Sequence, residues 1–229
     1  MDSQTEQKQS ESKKRGNRVS TSVAIVLAGI LISGAIVYSR NTSSGALEYG
    51  NGNLPIPEVT DDDFIFGDTS AKVTIIEYAD FSCSFCAAYH PTMKKIAADF
   101  DGEVRWVFRH LPIFNKPAAI ASSCVGNILG DDKFFEYADI LFANQKDLNQ
   151  ELMRLEAVSL GVLADEYDAC INDVSLSDKI SRDFSTARIL AGINATPHSI
   201  LIDSKGKMYP FSGALSYEDV KSLVETVVK

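Results

Sequence analysis

The rhythm of apolar and polar positions changes several times along this chain of 229 residues. Val73 to Ala79 is an apolar run broken by Glu77, and it reads as a buried strand. From Cys86 onward, Tyr89, His90, Met93, Ala97 and Phe100 recur at helical spacing. Val104, Trp106 and Phe108 alternate with Arg105, Val107 and Arg109, which predicts a second strand. The next stretch is helical in pattern. Phe134, Tyr137, Ala138 and Leu141 share a helix face, as do Leu148, Leu152 and Leu155, and then Ile180, Phe184, Ala187 and Ala191. Ser199–Asp203 and Met208–Phe211 flank a polar turn and predict a hairpin, and Val220, Leu223, Val224 and Val227 form the apolar stripe of a last helix. The order is strand, helix, strand, helical block, hairpin, helix. It fits an α/β fold whose small sheet is interrupted by an all-helical insertion at about residues 115–190.

The N-terminal part has a different character. Residues 1–20 are polar and include Lys13, Lys14, Arg15 and Arg18, and no charge follows until Arg40. The stretch 20–39 is about 20 residues long, enough to cross a bilayer as a helix. It is longer than the roughly 7–15 apolar residues of a signal peptide, and no A-x-A site follows it. The expectation is an uncleaved transmembrane helix at 20–39, preceded by a cytoplasmic tail at 1–19. Residues 40–60, rich in Gly, Asn, Ser and Pro, read as a linker to a domain at 61–229. That domain would stand on the outer side of the cell membrane, periplasmic or extracellular, on a single-pass anchor.

Charge narrows the partners. Residues 1–20 hold five of the 22 basic and three of the 31 acidic side chains, leaving the remainder at net −11. A surface so acidic argues against nucleic acid as a ligand. All four cysteines, Cys83, Cys86, Cys124 and Cys170, follow the apolar span, where an extracytoplasmic compartment permits disulfides.

Cys83-Ser84-Phe85-Cys86 lies where the first strand gives way to the first helix. Two thiols at this spacing can close on each other. At a helix start the leading one meets unpaired N–H groups and the positive dipole end, which favour the thiolate. Cys83 is the expected nucleophile and leaving group, and Cys86, one turn on, the buried resolving thiol. Zinc would need two further ligands, and His90, His110 and His198 supply no metal-binding pair, so no metal is expected. A purely structural bridge between such near neighbours would restrict the unfolded chain little. His90 shares the helix face of Cys83 but lies two turns away, so packing or surface exposure is its expected role.

Asp-Phe-Ser-Cys83-Ser-Phe-Cys86-Ala-Ala-Tyr-His-Pro91, together with Gly-Ile-Asn-Ala-Thr196-Pro197, resembles the thioredoxin superfamily. Within it the chain is similar to DsbA/BdbD-like thiol:disulfide oxidoreductases, which carry a helical domain inserted into the thioredoxin fold. The resemblance covers roughly residues 60–229. It implies that Pro197 is cis and opposes the dithiol, where Thr196 and Pro197 bind an extended substrate. It places Glu77 behind Cys86 as a buried acid able to shuttle its proton, and Pro91 as a helix kink. Ser84 and Phe85 are candidate substrate contacts, Ser84 as a donor to the thiolate and Phe85 as an apolar surface. Some members bridge two cysteines of the helical domain, as Cys124 and Cys170 would here. The alternative is two buried free thiols.

The dipeptide Ser84-Phe85 departs from the Pro or His often found between DsbA-type cysteines and supplies no cation. The expected activity is oxidation of reduced or unfolded secreted proteins by the Cys83–Cys86 disulfide. No cofactor is needed, and a quinone-linked membrane reoxidase of DsbB or VKOR type would regenerate the disulfide. A reductase or isomerase would use the same dithiol. A copper- or heme-maturation chaperone would use it as soft ligands, with His90 and Met93 beside it.

Overall fold

The computed structural model describes residues 54–228, so the tail, the apolar span at 20–39 and the first part of the linker lie outside the described residues. Among the described residues no helix is long and apolar enough to cross a membrane.

Five strands make one sheet: β1 (Phe64–Phe66), β2 (Val73–Ala79), β3 (Val104–His110), β4 (His198–Ile202) and β5 (Met208–Ser212), in the order β1-β3-β2-β4-β5. β2 and β3 are parallel and the other pairings antiparallel. Helix α1 (Ser84–Asp99) makes the crossover from β2 to β3. Between β3 and β4 come five helices: α2 (Lys116–Leu129), α3 (Asp131–Ala143), α4 (Gln150–Ser159), α5 (Ala164–Ile171) and α6 (Val174–Ile189). Helix α7 (Tyr217–Val227) ends the fold.

β2 is central and every one of its residues is buried, which accounts for its nearly unbroken apolar run. Its odd-numbered positions, Val73, Ile75 and Ala79, join Trp106 and Phe108 of β3 in a core that takes in α1, α7 and much of the helical block. Ile76 and Tyr78 point the other way, to Val107, Ile200 and Ala187 of α6. Glu77 shares the face of Ile75 and Ala79, so its carboxyl is directed into the larger core.

Two features depart from the periodicity. The edge strand β1 has no signal in its three residues. It is fixed by pairing with β3 and by Phe64, which stacks on Phe134 at 3.8 Å between ring centroids. In α4 the buried positions are Met153 and Ala157, while Leu155 is 58% exposed, so the expected Leu148, Leu152, Leu155 stripe is not the packed face. The helix begins only at Gln150, capped by Asn149, which leaves Leu148 ahead of it and packed against the core from the preceding connection.

Candidate redox site

Cys83 is the N-cap of α1, with φ −84° and ψ 117°, so its side chain sits at the open end of the helix. Its backbone carbonyl accepts the first intrahelical bond, from the Ala87 N–H at 3.1 Å. Both Cys83 and Cys86 are free thiols. The Cys83 Sγ donates to the carbonyl of Thr196 at 3.3 Å, and the Thr196–Pro197 peptide is cis. The fold thus brings together two motifs separated by 113 positions. Ser84 and Phe85 occupy the first turn of α1, and Phe85 is 66% exposed beside the sulfurs.

Cys86 is fully buried. Burial pushes its thiol far above the ordinary range, and the nearby Glu77 carboxyl adds to that. Glu77 is itself fully buried, and desolvation raises it to about 8, with the Trp106 indole N–H acting weakly in the opposite direction. Neither Glu77 oxygen has a hydrogen bond of ordinary geometry, and the same holds for Tyr89 Oη, Trp106 Nε1 and Ser199 Oγ around it. A neutral, protonated carboxyl is therefore the form of Glu77 at pH 7.

The turn that carries the sulfurs is held from three sides. The Asp80 carboxylate accepts from the Ser82 N–H at 2.7 Å and from the Phe114 N–H at 2.5 Å. The Asn115 side chain donates to Ser82 Oγ at 2.9 Å. The Gln145 Nε2 donates to the carbonyls of Phe81 at 2.7 Å and Cys83 at 2.9 Å. Asp80 could have been found in the sequence, since an Asp at a strand end two residues before a turn often bonds the backbone ahead. Gln145 could not, because it reaches the turn from the connection between α3 and α4. Tyr89 and Ser199 carry only apolar-stripe and strand signals in the sequence, and nothing there marks their hydroxyls.

The remaining residues named from sequence lie apart. His90 is buried, with Nε2 hydrogen-bonded to Asp139 at 2.8 Å, and desolvation lowers it below the usual histidine range. Met93 is fully buried in the core. Pro91 lies on the exposed side of α1. His198 is bonded through Nδ1 to Ser212 Oγ at 2.7 Å. Cys124 of α2 and Cys170 of α5 are bonded to each other, with Cα atoms 5.8 Å apart. A cavity of about 280 Å³, lined among others by Tyr78, Arg109, His110, Ser123 and Lys179, includes neither Cys83 nor Cys86.

Comparison with known proteins agrees with this geometry. A thioredoxin family model matches residues 59–226. Among curated proteins the chain is similar to a Na(+)/H(+) antiporter NhaA of Herminiimonas arsenicoxydans, 31% identical over 145 residues, which are 62% of this chain. The match spans about a fifth (22%) of that relative's length. Among solved structures it is similar to Wolbachia pipientis alpha-DsbA1, with 26% identity, TM-score 0.64, and coverage of 76% of this chain and 94% of the other. It also shares its fold with oxidised BdbD of Bacillus subtilis, with 20% identity, TM-score 0.62, and coverage of 79% and 98%. The chain belongs to the thioredoxin family, and it is similar in structure to DsbA- and BdbD-type thiol–disulfide oxidoreductases.

Proposed function

We propose that this protein is an extracytoplasmic thiol:disulfide oxidoreductase that introduces disulfides into reduced or unfolded secreted proteins through Cys83 and Cys86. The observation that carries the reading is the placement of Cys83 Sγ, at the helix N-cap and against the Thr196 carbonyl, in front of a buried Cys86. Cys83 is itself buried but keeps 7% exposure where Cys86 has none, so attack is directed to the leading sulfur.

In the oxidising direction, a client thiolate attacks Cys83 Sγ of the Cys83–Cys86 disulfide. A client–Cys83 bond forms, the enzyme disulfide breaks, and Cys86 leaves with the electron pair. Buried as it is, Cys86 must be protonated, and neutral Glu77 is the acid placed to supply the proton. A second client thiolate then attacks the client sulfur and expels Cys83. The client has lost two electrons, and the enzyme holds them as two thiols. Thr196 and Pro197 face the reacting sulfur and are the proposed contacts for the client backbone, with Ser84 and Phe85 as further contacts beside it. The apolar span at 20–39 would hold the domain at the outer membrane surface, where a quinone-linked membrane protein accepts the electrons.

The test uses the purified full-length chain in its disulfide form with a reduced, unfolded client. The wild type should form client disulfides, and Cys83→Ser should slow this by at least a hundredfold. A Cys83→Ser variant that oxidises the client at the wild-type rate overturns the proposal. A Cys83–Cys86 potential near about −120 mV supports the oxidase direction, whereas one near about −270 mV assigns the same dithiol to reduction.

A further inference from the structure

We propose that Gln145 is a positioning residue for the redox turn, through which the inserted helical block sets the thiolate preference of Cys83 and so the oxidising strength of the dithiol. The inference rests on the redox reading above and goes beyond it, because Gln145 lies outside both redox motifs.

Gln145 directs its amide nitrogen at two carbonyls of the redox turn. Nε2 lies 2.7 Å from the Phe81 carbonyl oxygen and 2.9 Å from that of Cys83. The Cys83 carbonyl already accepts the Ala87 N–H. The amide therefore adds a second donor to the carbonyl of the nucleophile's own residue. Carbonyl oxygens carry partial negative charge, and an anion forming on Cys83 is opposed by any of them left uncompensated nearby. Donation from Gln145 offsets that charge in a partly buried setting, where local fields are stronger than in water.

The mount is rigid. Gln145 follows the α3 C-cap, Asn144, whose N–H bonds back to the Ile140 and Leu141 carbonyls and whose side chain donates to the Ile140 carbonyl at 2.8 Å. The Asn144 carbonyl in turn accepts the Asp147 N–H. Phe142, one turn earlier, packs on Phe81 with ring centroids 4.8 Å apart. On the same helix, Asp139 bonds both His90 and Lys94 of α1. Helix α3 is thus fastened to the redox helix as well as to the redox turn, and among the described residues Gln145 is the side chain that hydrogen-bonds the Cys83 backbone.

The experiment compares full-length wild type with Gln145→Met, which keeps the length but removes the donors, and Gln145→Glu, which keeps the shape but adds negative charge. Each is equilibrated with glutathione. In this reaction Cys83 and Cys86 give up two electrons and two protons to one oxidised glutathione, which becomes two thiols. Weakening the Cys83 thiolate destabilises the reduced form and favours the enzyme disulfide. Gln145→Met should shift the equilibrium three- to tenfold that way, a tenfold change being about 30 mV. Gln145→Glu should shift it further. Alkylation of Cys83 below pH 7 should slow in the same order, with thermal melting close to wild type for Gln145→Met. Both variants within twofold of wild type in equilibrium and alkylation overturn the inference while leaving the redox reading intact. A wild type that does not exchange with glutathione overturns both.

Discussion

Glu77 and Ser199 sit directly opposite each other across the β2–β4 ladder, both fully buried, and neither side chain makes a hydrogen bond of ordinary geometry. Directly opposed residues project to the same face of a sheet, so the hydroxyl and the carboxyl share the core behind Cys86. Buried polar groups left unpaired are costly. With Tyr89 Oη and Trp106 Nε1, Glu77 and Ser199 form a buried polar group in which the Trp106 indole acts on Glu77 and the Ser199 hydroxyl on Tyr89.

Glu77→Gln removes the ionisation while keeping the shape. The folded value of about 8 lies above the ordinary 4.5, so the folded state holds the proton more tightly than the unfolded chain does. Wild-type stability from this group is therefore intact below pH 4.5 and falls as pH rises from there to about 8. The stability difference between variant and wild type should grow in the variant's favour across that window, reaching roughly 3 kcal/mol at pH 7. Urea melts at pH 5 and pH 8 measure it. The same substitution should slow the step that protonates Cys86 by ten- to a hundredfold.

Cys86→Ala leaves the leading sulfur without a resolving partner. Given a disulfide-bonded client, the Cys83 thiolate attacks one client sulfur and releases the other as a client thiol, so Cys83–client mixed disulfides should accumulate, visible as high-mass bands on non-reducing gels that vanish with reductant. Their absence would show that Cys86 is not the resolving thiol.

Cys124 and Cys170 close a loop of 46 residues between α2 and α5. Replacing both with Ala should cost about 4 kcal/mol by the chain-entropy relation, read from denaturant unfolding. The glutathione equilibrium of Cys83 and Cys86 should stay within twofold of wild type, because neither residue touches the redox turn.

Gly126 lies in α2 against the first strand. A Cβ there would stand 2.3 Å from Phe64 Cε1, and that ring is stacked on Phe134 with little room to retreat. Gly126→Ala should therefore destabilise the fold by about 1–3 kcal/mol despite its better helix propensity. A thermal melt unchanged from wild type would show that Phe64 repacks freely.

Local chemistry was legible in the chain. A CxxC at a strand-to-helix junction, the periodic core of α1, the β4–β5 hairpin and the stripe of α7 all depend on neighbours a few residues away, and the fold forms them close to where the pattern puts them. The packed face of α4 departs from the leucine spacing because Met153 and Ala157 are its buried positions while Leu148 packs from ahead of the helix, and a short helix in a helical block can turn almost any face inward.

The sequence by itself determined that two thiols would stand at a helix start, with an acidic side chain on the strand before them. Tertiary structure decided the rest. It placed the Thr196 carbonyl against Cys83, buried Glu77 beside Trp106 and Ser199, and brought Gln145 from the helical block onto the Cys83 carbonyl. Each is a contact between residues far apart in the chain, set by sheet register and helix packing. Residue order carries the periodicity that builds the elements, but the distances between them follow only once those elements have docked.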